Sequence, residues 1–172
     1  VVDGGKAPNI IPDYVKLRME FRTATMKSMG AVDEMVKKCA DGAALALDCA
    51  VKFTTVFEFA DMVRNMALEE EVVRQFESFG MPTTGVEAAS GSSDVGNVSY
   101  RCPAIQPLLA ITDEDYALHT AAFRDATALP QAGQAMEKGA CILALMALKI
   151  FNDEAFRNRV YAEFQEQVEK RR

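Results

Sequence analysis

The stretch GSSDVGNVSY, residues 91–100, concentrates polar side chains whose types could line a ligand pocket. Its two glycines allow the backbone to approach a ligand closely, and its hydroxyl, carboxylate and carboxamide groups supply hydrogen-bond donors and acceptors. The candidates for contact with a ligand are Ser93, Asp94 and Asn97. A polar, glycine-rich loop beside an apolar core segment is a usual place for an α/β enzyme to build its pocket. The other interpretation is a loop whose serines cap its own turns.

The sequence holds a single histidine, His119, within LHTAAF. A histidine nitrogen can bind zinc, but a lone histidine in a loop is also typical of a surface or capping residue. A catalytic zinc needs about three protein ligands, and no HxD or Glu-Glu pair with a matching context accompanies His119. The other ligands of such a site would have to lie outside this chain.

Apolar periodicity predicts the elements that would position these residues. Residues 10–23 and 51–59 alternate between apolar and polar side chains, which indicates two strands with one solvent-facing side each. Between them, apolar residues recur every three or four positions after Thr25, which predicts a capped helix on the dry face of the strands. The spacing further predicts helices over residues 64–80, 134–151 and 153–170, and an extended segment over 98–112.

Composition limits the class of partner. The 172 residues carry a formal net charge of -6 and show no lysine or arginine stripe, which argues against nucleic acid or an anionic membrane as a partner. No apolar run is long enough to span a membrane and no secretory signal is visible, so we predict a cytoplasmic protein. Four cysteines without CxxC spacing are predicted to be reduced core residues. The opening VVDGG indicates a piece of a longer chain.

Two segments together carry a family resemblance. GGKAPNIIPDYVKLRMEFRT, followed later by GSSDVGNVSY and LHTAAF, resembles the dinuclear-metal aminoacylase and carboxypeptidase family, in the branch of aminobenzoyl-glutamate hydrolases and dipeptidases. The resemblance covers nearly all of this chain but only the carboxyl-terminal portion of such an enzyme. It implies an α/β fold with an α+β lid. Residues 1–62 would be part of a ferredoxin-like lid or dimerisation sandwich, and residues 63–172 the closing part of the catalytic domain.

The same resemblance implies the chemistry. It predicts hydrolysis of the amide bond of a dipeptide or N-acyl amino acid by metal-activated water, with two zinc ions, or manganese or cobalt. His119 would be a metal ligand. Asn9 and Arg22 would hold the free carboxylate of the substrate, a task that suits the planar fork of arginine. Ser93, Asp94 and Asn97 would border the metal site, and a homodimer would form through the lid.

No catalytic residue is predicted within this chain, because the general base and most metal ligands of the family belong to sequence that precedes the lid. The isolated chain is therefore expected to be inactive. Two alternatives remain open at the level of sequence. Asn9 and Arg22 could be a turn residue and a solvated side chain. The whole chain could be a truncated, inactive fragment that acts as an oligomerisation or binding module.

Overall fold

The computed structural model describes residues 1–84 and 91–171. It contains six helices in these ranges: α1 (Met26–Ala46), α2 (Met66–Ser78), α3 (Val95–Ser99), α4 (Ala121–Ala126), α5 (Pro130–Asn152) and α6 (Glu154–Glu169). The chain divides into two compact units, Val1–Thr55 and Val56–Arg172. The roles assigned from sequence to residues 1–62 and 63–172 stay a prediction.

The first unit is built around α1. Thr25 begins this helix as predicted, because its side chain accepts a hydrogen bond from the backbone N–H of Ser28. The side of α1 that carries Met29, Val32 and Val36 is half-buried, whereas no side chain in residues 1–55 is fully buried. The first unit therefore has one half-buried side on its helix, but it has no buried hydrophobic core.

The predicted α/β fold with a ferredoxin-like lid sandwich is wrong. In the described residues, backbone pairing of the strand type is confined to one bridge between Asp3 and Lys16. Apart from Lys16, the alternating segments 10–23 and 51–59 show no strand pairing in the described structure, and Leu17, Met19 and Phe57 on them remain exposed. A period of two identifies a chain that can form a strand, but a sheet also needs neighbouring strands and a layer to cover its apolar face.

The second unit has a helical core formed by α2, α5 and α6. Its buried cluster consists of Ala67, Leu68, Val72, Ile142, Met146, Phe156 and Val160. The predicted helix over 64–80 is confirmed, and Gly80 follows it with a left-handed φ of 68°. The helix predicted from residue 134 begins earlier, with Pro130 in its first turn, where a missing N–H costs no hydrogen bond.

Two other sequence-based predictions fail, and one helix was not predicted. The extended segment predicted over 98–112 begins inside α3, and α4 is a helix that the residue spacing did not predict. All four cysteines are free and exposed, so the prediction of core positions is wrong. The sequence between Gly80 and Gly91 is rich in glycine, serine and threonine and indicates a connection, but its residues 85–90 lie outside the described part.

Candidate functional site

Residues 91–101 form a short structured stretch rather than an open loop. Ser93 accepts a hydrogen bond from the N–H of Val95 through its hydroxyl (3.2 Å) and from the N–H of Gly96 through its carbonyl (3.1 Å). These bonds start the single turn of α3. The serine therefore caps its own turn, which was one of the two interpretations of this sequence. We call residues 91–101 the α3 stretch.

Asn97 fastens the α3 stretch to a segment without helix or strand that precedes α2. Its Oδ1 accepts a hydrogen bond from the N–H of Ala60 (2.9 Å), and its Nδ2 donates to the carbonyl of Glu58 (3.1 Å). One carboxamide therefore satisfies two backbone groups in the way that a neighbouring strand would. We call residues 58–63, which Asn97 and its neighbours hold, the docked segment.

We expect Asn97→Ala to lower the free energy of unfolding by about 1–2 kcal/mol, because two hydrogen bonds of ordinary strength are lost. The exchange rate of the Ala60 amide hydrogen, measured by NMR, should rise in the same variant. Asn97→Asp is the second variant: it keeps the acceptor for Ala60, but it replaces the donor to Glu58 with a charged oxygen that faces the Glu58 carbonyl. Unchanged exchange at Ala60 in Asn97→Ala would show that the carboxamide does not hold the docked segment.

Ser99 and Gly96 bring the α3 stretch and the docked segment into close contact. The fully buried Ser99 hydroxyl accepts from the N–H of Val63 (2.9 Å) and donates to the carbonyl of Gly96 (2.6 Å). Gly96 lies directly against the backbone of Ala60. A Cβ atom at position 96 would lie 2.0 Å from the carbonyl oxygen of Ala60. Only glycine allows this approach.

Tyr100 adds a further contact between the α3 stretch and the docked segment, on the side that faces solvent. Its hydroxyl donates a hydrogen bond to Asp61 (2.7 Å), and Asp61 also accepts from Nε of Arg171 (3.2 Å), just after the end of α6. Partial burial raises the pKa of Tyr100 to about 12, and the hydrogen bond and negative charge of Asp61 act in the same direction. Asp61 therefore links the docked segment to both α3 and the end of α6.

The pKa of Tyr100 predicts how the fold responds to alkali. Because the folded value of about 12 exceeds the ordinary value of 10.0, the contribution of this group to stability is complete below about pH 10. It is lost as the pH rises through about 12. At pH 11 we expect roughly a tenth of Tyr100 to be ionised, measured as phenolate absorbance of the wild type minus Tyr100→Phe. Ionisation of about nine-tenths, with the helical circular dichroism retained, would contradict the assignment.

The start of α2 is anchored by two residues that sequence reasoning missed. Asn65 is buried, accepts from the N–H of Leu68 (3.1 Å) and donates to the carbonyl of Val160 in α6 (2.8 Å). Glu163 of α6 accepts from the N–H groups of Met66 (2.6 Å) and Ala67 (2.9 Å). Asn65 could have been found as a helix cap preceding MALEEE. Glu163 has no local signal, because its partners lie 97 and 96 residues away.

The structure places the residues predicted to contact a ligand in both units. Asn9 and Arg22 lie exposed in the first unit, where the guanidinium of Arg22 pairs with Glu20 (2.6 Å). In the second unit, the Ser93 hydroxyl lies 3.4 Å from the exposed carboxylate of Asp94, three residues before Asn97. His119 is exposed, has a left-handed φ of 64°, and directly precedes Thr120, the cap of α4. Within the described residues, no hydrogen bond joins His119 to the α3 stretch.

The described residues do not by themselves fit a catalytic metal. Residues 1–84 and 91–171 contain no group of three or more histidine, cysteine, aspartate or glutamate side chains placed to hold an ion. A catalytic zinc site needs about three such ligands and an open position. His119 is therefore, at most, one ligand of a site that the described part of the chain does not complete.

The sequence is similar to dipeptidases, a class of peptide hydrolases, and to this extent the predicted resemblance is confirmed. It is 30% identical over 169 residues to the Xaa-Arg dipeptidase of Mus musculus and 29% identical over 155 residues to that of Homo sapiens. These matches cover 95% and 87% of this chain, but only 39% and 35% of the mouse and human proteins. No model of a protein family matches the sequence. In the described part, no helix is long and apolar enough to cross a membrane.

Proposed function

We propose that this chain is part of a metal-dependent dipeptidase, a hydrolase that cleaves the amide bond of a dipeptide or N-acyl amino acid bearing a free carboxylate. The observation that carries the proposal is the 30% identity to the mouse Xaa-Arg dipeptidase, which extends over 95% of this chain. The name of that relative makes a dipeptide with a carboxyl-terminal arginine the first substrate to test.

The proposal assigns different tasks to different parts of the chain. Residues 1–62 contribute part of a lid, through which two copies form a homodimer, and residues 63–172 contribute the closing part of a catalytic domain. Arg22, with Asn9, binds the substrate carboxylate, and Ser93 and Asp94 border the site. His119 is one ligand of a divalent metal site, with zinc as the first candidate. The remaining ligands and the general base lie outside this chain, which acts in the cytoplasm.

The contacts of the α3 stretch refine the role of Asn97. Both polar groups of its carboxamide bond to the backbone of the docked segment. A side chain engaged in this way holds the backbone beside a ligand more readily than it contacts the ligand itself. In the proposal, Asn97 is therefore a positioning residue, whereas Asp94, two residues before Gly96, has an exposed carboxylate on the same turn.

A second candidate function is an inactive oligomerisation or binding module. The exposed apolar side chains of the first unit, such as Leu17, Met19 and Val51, favour it because such surfaces commonly mark interaction sites. The two candidates differ in a simple observation. A module would self-associate without hydrolysing any dipeptide, whereas the dipeptidase proposal requires hydrolysis by the natural gene product that contains these residues.

The test uses this gene product and a pair of substrates. We expect hydrolysis of a dipeptide that ends in arginine, and a much slower reaction with the same dipeptide carrying a terminal carboxamide. The difference arises because a planar guanidinium binds a carboxylate at two points and gains nothing comparable from a neutral amide. Equal rates for the two substrates would contradict the proposed recognition of the carboxylate, and no hydrolysis of either would contradict the proposed function.

Arg22→Ala should raise KM for the free dipeptide by about tenfold to a hundredfold, as expected from the loss of a charge-assisted contact. The variant should also lose most of the discrimination against the carboxamide substrate. Arg18→Ala is the matched control, because it removes an exposed arginine from the same alternating segment, residues 10–23. If Arg22→Ala and Arg18→Ala behave alike, Arg22 is a solvated surface residue paired with Glu20.

A further inference from the structure

The outward side of α5 is apolar although it faces solvent. Between Pro130 and Asn152 the helix carries only three charged residues, Glu137, Lys138 and Lys149. Its core-facing side packs through Ile142 and Met146. The side away from the core is also mostly apolar, with Glu137 as its only charged residue, and we call it the outer face: Met136, Ala140, Cys141, Leu143, Leu148 and Phe151.

Every residue of the outer face is exposed in the described structure, including 67% of Leu143 and 78% of Phe151. A surface helix normally places charged and polar residues opposite its core-facing stripe, whereas a helix that is apolar on all sides is typical of a protein interior. The composition of α5 is therefore that of an interior helix, but its outer face has no cover within the described chain.

The accessible surface area of the chain is larger than that of compact proteins of the same length. The total accessible surface is 13439 Å². Two separate compact proteins with the lengths of the two units would together expose about 9,900 Å², so the excess is about 3,500 Å². Permanent interfaces bury about 2,000–5,000 Å² in total. This excess is summed over both units, and its size is that of a permanent interface or a shared domain core.

The length of the relatives indicates what provides this cover. The chain spans 39% of the mouse dipeptidase and 35% of the human one, so more than half of each relative has no counterpart here. We infer that the outer face of α5 packs against that missing part of a dipeptidase-length polypeptide, and that α5 is an interior helix of the complete enzyme. This inference rests on the proposed function and adds to it a specific interface and its occupant.

Cys141 provides a natural probe, because this exposed, free thiol lies between Ala140 and Ile142 on α5. The experiment compares the natural gene product with the 172-residue chain produced alone, each treated with N-ethylmaleimide and analysed by peptide mass spectrometry. We expect a gene product well above 18.8 kDa in which Cys141 reacts at least 100-fold more slowly than in the isolated chain. In the isolated chain its reaction should be fast and independent of protein concentration.

Three other outcomes would overturn the inference. A gene product of 18.8 kDa would leave no further polypeptide to cover α5. A longer product in which Cys141 reacts as fast as in the isolated chain would show an uncovered outer face. Protection that appears in the isolated chain and disappears on dilution would identify a second copy of the chain as the occupant.

Substitutions on α5 provide an independent readout. Leu143→Glu should leave the helical circular dichroism of the isolated chain unchanged, because Leu143 is exposed there, but should sharply reduce the soluble yield of the longer gene product. Lys138→Glu is the matched control on the same helix, outside the outer face, and should change neither. Dipeptide hydrolysis measured on the same samples separates the two claims: protected Cys141 without hydrolysis would contradict the proposed function and leave the packing intact.

Discussion

Gly96→Ala is expected to destabilise the second unit by about 3 kcal/mol or more, since it forces a methyl group into closely packed backbone. The new Cβ would lie 2.0 Å from the carbonyl oxygen of Ala60 and 2.9 Å from its carbon, and neither atom belongs to a flexible side chain that could move aside. The docked segment must shift, which also disturbs the bonds from Asn97 and Ser99. The measurement is the urea midpoint of the helical circular dichroism.

Intrinsic helix propensity predicts the opposite sign, which makes this substitution informative. Glycine within a helix is less favourable than alanine by about 1 kcal/mol, so an uncrowded Gly96→Ala in α3 would stabilise the protein. Gly91→Ala is the matched control in the same stretch, because nothing lies within 4 Å of its new Cβ atom. Its effect should stay within about 0.5 kcal/mol. A neutral or stabilising Gly96→Ala would show that the α3 stretch does not dock closely on residues 58–63.

His119→Asn should reduce kcat of the natural gene product at least about 100-fold and lower its metal content, if His119 holds the metal as proposed. Asparagine is a better choice than alanine here. His119 has a φ of 64°, and asparagine tolerates this left-handed backbone, whereas alanine would add strain. The loss can then be attributed to the imidazole. Metal content is measured by elemental mass spectrometry and kcat with the arginine dipeptide.

The neighbouring Leu118→Ala serves as the control for His119→Asn, because Leu118 is also exposed and has no proposed ligand role. It should retain both metal and activity. Full metal content and unchanged kcat in His119→Asn would identify His119 as a turn residue that only precedes the cap of α4. A loss of activity with full metal content would mean that the histidine contributes to the reaction without binding the metal.

Helices α2, α5 and α6 of the second unit were predictable because their sequence carries local signals. Gly80 ends α2, and the apolar stripe of α6 places Phe156 and Val160 in the core. The predicted sheet failed for a physical reason: alternation along residues 10–23 specifies which side chains share a face, but strand pairing depends on partners far away in sequence. The single Asp3 and Lys16 bridge is all the pairing that forms in the described residues.

The composition of the α3 stretch predicted a close backbone approach, but it did not predict which group would lie there. Its glycines and polar groups indicated a close backbone approach, which the structure confirms for Gly96, but the partner is Ala60 of the same chain. The links from Asn97 to residues 58 and 60 span 39 and 37 positions, and no local pattern encodes such distances. The predicted roles of Asn9, Arg22 and His119 stay predictions, because they depend on groups beyond the contacts described.

The most direct test of the central proposal is a side-by-side assay of the natural gene product and the isolated 172-residue chain with a dipeptide that ends in arginine. Both preparations are supplied with zinc and checked against a chelator. The proposal predicts chelator-sensitive hydrolysis by the gene product and none by the isolated chain. Absence of hydrolysis by the gene product would contradict the assignment to a dipeptidase, and hydrolysis by the isolated chain would contradict the claim that the remaining ligands and the base lie outside it.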